Sequence, residues 1–98
     1  MDTSPLERAF SALESSLAAD DPDRAPRSEV LRLIRALNQE IGRAAASDHS
    51  AVRELRALQL NVNAVTVAVK AGRLREARVA LAGASEALRE VLKRSPAV

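Results

Sequence analysis

Four segments of the chain carry apolar residues at the three- and four-residue spacing of amphipathic helices. The spacing predicts helices over residues 5–19, 27–45, 48–71 and 73–94, with a linker at 20–26. The predicted core stripes are Leu6, Phe10, Leu13 and Leu17 in the first helix; Val30, Ile34, Leu37, Ile41 and Ala44 in the second; Leu55, Leu58, Val62, Val65 and Val69 in the third; and Leu74, Ala77, Leu81, Ala84, Leu88 and Leu92 in the fourth.

Polar residues mark the expected starts of two helices. Ser4 is the predicted N-cap of the first helix, with Pro5 at its first position and Glu7 completing a capping box. Residues 47–50 (Ser-Asp-His-Ser) supply N-cap candidates for the third helix.

Glycine and proline mark the expected ends. The linker holds two prolines and three aspartates, which disfavour helix. Gly42 lies inside the second stripe and predicts that this helix ends early, and Gly72 is the predicted end of the third. Residues 71–81 resemble the helix–turn–helix corner of tetratricopeptide repeats, but no second copy follows at the repeat length. We therefore interpret this stretch as a tight antiparallel corner.

The third helix contains an unusual uncharged window. Residues 57–69 carry no charge in a chain that is 29% charged, whereas a surface helix normally presents charged residues to water. Its core stripe has the coiled-coil period, and a second apolar series lies almost opposite the first. This series consists of Leu60, Ala64, Val67 and Ala71. We expect the bundle to cover only the first of these two sides.

A strand is the alternative for part of this window. Residues 58–64 alternate between apolar and polar side chains, as a half-buried strand does. The alternation changes phase at Ala64 and Val65, and helical segments lie on both sides, so helix is favoured. The polar residues of the window either set the register between helices or are simply half-exposed. They are Gln59, Asn61, Asn63 and Thr66.

The resulting fold prediction is a single all-α domain over residues 1–98. We expect an up-and-down bundle of three long helices and one shorter helix, with helices three and four as a central antiparallel hairpin. The first helix could pack on the hairpin, pack on another subunit or detach. Composition agrees, since alanine and leucine dominate and the chain has one Phe and no Trp or Tyr.

Charge and cysteine content limit the possible partners and sites. The net charge is +2, but residues 1–24 have six acids against two bases, and residues 25–98 have thirteen bases against seven acids. Without cysteine there is no disulfide or thiolate site. No apolar run is long enough to span a membrane, and the first residues lack the pattern of a secretory signal, so we expect a cytoplasmic protein without membrane partners.

Candidate chemistry is sparse. His49 is the only histidine and has no nucleophile at a recognisable spacing, and the linker acids lack the spacing of a calcium loop. We expect no catalytic, metal or cofactor site and no enzymatic activity. Arginine-rich helix faces are the candidates for anion binding. Their residues are Arg32, Arg35, Arg43, Lys70, Arg73, Arg75 and Arg78.

The sequence therefore predicts a small non-enzymatic interaction module, such as an adaptor, an assembly factor or a regulatory subunit. Its expected partner is a second copy of itself or another helical protein, bound through Leu60, Ala64, Val67 and Ala71. The alternative is an anion-binding or nucleic-acid-binding protein that uses its arginine-rich faces.

Overall fold

The computed structural model describes residues 3–18, 27–47 and 51–94. These residues form four helices and contain no strand, so the all-α prediction is confirmed. The helices are α1 Ser4–Ala18, α2 Arg27–Ser47, α3 Val52–Lys70 and α4 Leu74–Arg94. The helical interpretation of residues 58–64 is also confirmed, because they lie within α3.

Consecutive helices pack side by side in an up-and-down bundle. The largest contact is between α3 and α4, which confirms the central hairpin. The bundle closes because α1 also touches α4, and the diagonal pairs of described helices do not meet. Its dimensions are 40 × 18 × 18 Å, so the helices run along one long axis.

The core lies along this axis and is built mainly from the four predicted stripes, but Leu74 and Leu92 of the fourth stripe are only partly buried and Val91 is fully buried. Leu13, Leu37, Leu58, Val62 and Val91 are among its fully buried side chains. Because the core contains one aromatic ring, its packing depends on aliphatic side chains from all four helices.

Helix α1 packs within its own chain, which answers a question that the sequence left open. It lies mainly against α2, and its stripe residues Leu6 and Leu17 are buried. Arg78 on α4 adds a polar tie, because its Nε donates to the carbonyl oxygen of Leu17 at 2.8 Å. This bond satisfies a carbonyl in the last turn of α1 that has no partner within the helix.

The start of α1 lies one residue earlier than predicted. The backbone N–H of Glu7 donates to the carbonyl oxygen of Thr3 at 2.9 Å, so Thr3 precedes the helix and Ser4 lies within it. The Thr3 hydroxyl also donates to the Glu7 carboxylate at 3.2 Å. Thr3 therefore takes the capping position that was expected of Ser4.

The start of α3 differs more. The helix begins at Val52, and the residue before it, Ala51, makes no side-chain capping bond. Ser47 belongs to α2, and the other cap candidates, residues 48–50, lie outside the described residues. Ala51 is fully buried, so the residue that precedes α3 packs in the core and provides no polar cap.

The α3–α4 corner is as tight as predicted. Gly72 has a φ of +75°, the left-handed conformation that glycine adopts without strain. The N–H of Arg73 donates to the carbonyl of Ala68, and the N–H of Gly72 donates to that of Val69. This is the Schellman arrangement, and it reverses the chain within three residues.

Two ion pairs lie at the C-terminal end of α4. Glu90 contacts Lys93 at 3.3 Å within the helix. Arg94 reaches Glu54 on α3, also at 3.3 Å. The Glu54 side chain is only 18% exposed, so this pair is less open to solvent than the others and joins the two ends of the hairpin opposite the turn.

Gly42 does not end α2, which continues to Ser47, so that prediction was wrong. A Cβ at Gly42 would meet no atom within 4 Å, whereas one at Gly83 would lie 2.6 Å from Oδ1 of Asn61. The two helical glycines therefore differ. Gly42 only lowers the helix propensity of α2, whereas Gly83 allows α3 and α4 to approach closely.

We predict that Gly42→Ala raises the free energy of unfolding by about 0.5–1 kcal/mol, because alanine loses less backbone entropy on folding. Gly83→Ala is the matched comparison, and we expect a smaller gain or a loss, since the Asn61 side chain must move. Urea unfolding followed by circular dichroism measures both. A Gly42→Ala variant less stable than the parent would contradict this account of α2.

Candidate interaction surface

The second apolar series of α3 is exposed to solvent. Leu60 is 64% exposed and Val67 is 68% exposed. Ala64 and Ala71, on the same side of the helix, are also exposed. We call Leu60, Ala64, Val67 and Ala71 the outer α3 seam. The opposite side of α3 is buried, so the bundle covers one of its two apolar sides.

The position of α3 in the bundle explains this difference. Its core side carries Leu58, Val62 and Val65, which have no exposed surface. Helices α2 and α4 cover its two flanks. The outer seam points away from the core and from both flanking helices. No helix formed by the described residues covers it.

A shallow apolar depression continues the seam towards α4. Its lining includes Ala64, Val67 and Ala71 from the seam and Ala80 from α4, with Glu76 at its edge. A second depression lies further along the same hairpin, between Ala57 on α3 and Ala87 on α4. Small side chains thus form a trough along the outer side of the α3–α4 pair.

Helix α4 contributes a residue to this surface that the sequence analysis did not identify. Val79 is 74% exposed, more than either Leu60 or Val67. It lies three residues after Glu76 and four before Gly83, so the three share one side of α4, and Glu76 among them lines the depression. In the sequence, Val79 could have been recognised as an apolar residue that lies next to charged neighbours and outside the core stripe of α4.

The charges beside the trough differ between its two walls. The α3 wall carries Arg53 and Arg56 near its N-terminal end. The α4 wall carries Glu76, Glu86 and Glu90, each paired with a cation three residues away in the chain. Glu86 and Glu90 lie 3.5 Å and 3.3 Å from Arg89 and Lys93. Because these are exposed pairs one helical turn apart, their carboxylates remain accessible to further partners.

The predicted anion-binding residues do not form one surface. Arg32 and Arg43 pair with Glu29 and Glu40 on the exposed side of α2. The hydrogen bond from Arg32 lowers the pKa of the Glu29 carboxyl. We interpret these two arginines as members of surface ion pairs.

The other basic candidates lie towards the α3–α4 turn. Arg35 and Lys70 line a cleft between α2 and α3, and Arg73 pairs with Glu76 at 3.5 Å. Arg75 is exposed on α4. Arg78, as noted above, donates to α1. Arg27, which the sequence analysis did not select, lies against Gly72, so the start of α2 adds a further cation at this end of the bundle.

One polar residue of the uncharged window links two helices. Nε2 of Gln59 lies 2.8 Å from Oδ1 of Asn38 on α2, and 3.0 Å from Oδ1 of Asn63. Asn61 and Thr66 donate to carbonyl oxygens of their own helix. The Gln59–Asn38 contact therefore joins α2 and α3, while the amide nitrogen of Asn61 and the hydroxyl of Thr66 donate within their own helix.

Two further features bear on the chemistry of the surface. No helix in residues 3–18, 27–47 and 51–94 combines the length and apolar character needed to cross a bilayer. Within the same ranges, no three acidic or histidine side chains are grouped as a metal site.

Comparisons with protein-family models, with curated proteins and with solved structures give no match for this chain. A function therefore has to be inferred from the chain's own surface.

Proposed function

We propose that this chain is a small non-enzymatic interaction module that forms a homodimer through the outer α3 seam. It would act as an adaptor, an assembly factor or a regulatory subunit, and a cytoplasmic location is part of the proposal. The exposure of Leu60 and Val67 on an uncharged helix side is the observation that supports it most directly.

Isolated exposed apolar residues are ordinary on protein surfaces, but contiguous ones are typical of contact surfaces. Leu60 and Val67 are separated by two turns of α3, and exposed Ala64 lies between them. Neither a lysine nor a glutamate interrupts this side of the helix between Arg56 and Lys70. The seam therefore has the apolar, charge-depleted character of the centre of an interface.

A second copy of the chain is the partner that we favour. Symmetric two-fold pairs are the commonest oligomers, and they require a surface that is complementary to itself. The outer side of the hairpin supports this choice, because it combines exposed apolar side chains, a trough of small residues, arginines on α3 and ion-paired glutamates on α4.

We predict that Leu60→Glu or Val67→Glu halves the mass of the protein in solution and leaves its helical content unchanged. Both side chains are more than three-fifths exposed in the single chain, so the fold does not depend on burying them. A glutamate within an apolar contact would be desolvated without a partner, which costs several kcal/mol. Light scattering gives the mass, and circular dichroism gives the helical content.

Gln39→Glu is the matched control, since it places the same charge on an exposed position of α2 away from the seam. It should keep the mass of the parent. A parent chain that is monomeric at all concentrations, or a Leu60→Glu variant with the parent's mass, would contradict the proposal.

A second candidate function is the binding of a polyanion, such as a nucleic acid, at the α3–α4 turn. The position of Arg27 favours it, because the guanidinium lies beside Gly72 and joins Lys70, Arg73 and Arg75 at one end of the bundle. Helices α2 and α4 also begin at this end, and helix N-termini attract negative charge.

If this end engages about three phosphates, affinity for DNA or RNA should fall roughly 40-fold between about 50 and 200 mM salt. Arg73→Glu combined with Arg75→Glu should abolish most of the binding. The reversal of Arg43, which lies on α2 and pairs with Glu40, is the control and should have little effect. The absence of any salt-sensitive retardation in gels would exclude this candidate.

A further inference from the structure

The outer α3 seam by itself is too small to hold two chains together. A helix of 19 residues is about 28 Å long and about 10 Å wide, so a contact between two seams covers about 560 Å² in total. Stable interfaces bury about 1,000 Å² or more. The full hairpin is 18 Å across, and its use would roughly double the contact to the required size. A dimer of the proposed kind therefore needs α4 as well as α3.

The hairpin itself shows which residues of α3 and α4 are at the same level. Asn61 lies beside Gly83, and Ala57 and Ala87 line one depression. Counting outward from these pairs along two antiparallel helices, Val67 lies within two residues of the level of Val79.

The same counting places the charged residues. Arg53 is level with the residue after Glu90, and it lines the same depression as Glu90. Arg56 lies between the levels of Glu86 and Glu90. Arg53 and Arg56 of α3 are thus level with the stretch of α4 that carries Glu86 and Glu90, each beside a cation of its own helix.

Two hairpins can meet face to face about either of two symmetry axes. An axis across the helices would place α3 on α3 and α4 on α4. This would place Arg53 and Arg56 against α3 of the partner and away from its Glu86 and Glu90. An axis parallel to the helices would place α3 of one chain on α4 of the other, and each residue would stay at its own level.

We propose that two copies pair through the outer side of the hairpin about an axis parallel to the helices. This inference rests on the proposed homodimer and specifies its geometry. Helix α3 of each protomer packs on α4 of its partner. The two hairpins together form a four-helix bundle between the chains, next to the bundle within each chain.

The three most exposed apolar residues are all used in this arrangement. Val67 meets the partner's Val79, because the two are at nearly the same level and project from opposing walls. Leu60 is level with Gly83, where the partner's own Asn61 occupies the space beside the glycine, so Leu60 packs on the small residues on either side of that point. The alanines of the trough leave room for a large residue between packed helices.

The charges also match. Arg53 and Arg56 face the partner's Glu86 and Glu90, and neither arginine has an ion pair with another described residue. Because the axis is two-fold, the same contact forms twice. Opposite charges at the edge of an interface select orientation and partner more than they add affinity.

The absence of cysteine allows a direct test by disulfide cross-linking. A disulfide requires Cβ atoms about 3.5–4.5 Å apart, so it reports only close pairs. Val67→Cys and Val79→Cys are made as separate variants, and Ala64→Cys is made as the probe of the other axis. Each variant is oxidised alone, and an equal mixture of the two valine variants is oxidised as well. The products are then separated on a non-reducing gel.

We expect the Val67→Cys and Val79→Cys mixture to give a band of doubled mass, and neither variant alone to give one. Gln39→Cys, on the exposed side of α2, is the control and should give no such band alone or in mixtures. Circular dichroism of each variant establishes that it is folded.

The other outcomes separate this inference from the proposed function. If Ala64→Cys alone doubles in mass and the valine mixture does not, the chain dimerises through α3 about the crossed axis, and only the geometry is wrong. If the parent is a dimer by light scattering and no variant cross-links, this interface is wrong. If the parent is a monomer at all concentrations, the homodimer and the geometry both fail.

Discussion

The packing of α3 against α4 is the contact on which the rest of the structure depends. It is the largest helix–helix contact in the bundle, and it begins at a corner that reverses the chain within three residues. The left-handed Gly72 makes this reversal possible, and Gly83 lets the two helices approach at Asn61. Because the pair is held at both ends, by the corner and by the Arg94–Glu54 ion pair, its outer side is a defined surface.

That outer side follows from a mismatch between α3 and the bundle. An up-and-down arrangement of four helices gives each helix one core side and two flanks. Helix α3 carries apolar residues on a fourth side as well, and the described chain places nothing there. The neighbouring side of α4 exposes Val79 among charged residues of both signs. The surface is therefore described better as a property of the helix pair than of α3 alone.

Much of the local structure was predictable because it depends on near neighbours in the chain. Apolar spacing located the four helices, and glycine located the corner, since only glycine adopts its conformation without strain. The described part of α3 begins at Val52 after the buried Ala51, and the predicted cap residues 48–50 lie outside the described residues. Gly42 did not end α2, because core residues on both sides of it pack on the same bundle.

The sequence by itself determined the helices, their core stripes and the existence of a second apolar side on α3. Only the tertiary structure decided that α1 packs in its own chain, that Arg94 reaches Glu54 and that Val79 is exposed to solvent. The physical reason is distance along the chain. Helical periodicity reports which residues share one side of one helix, whereas the level and rotation of one helix against another are settled by packing between residues far apart in sequence.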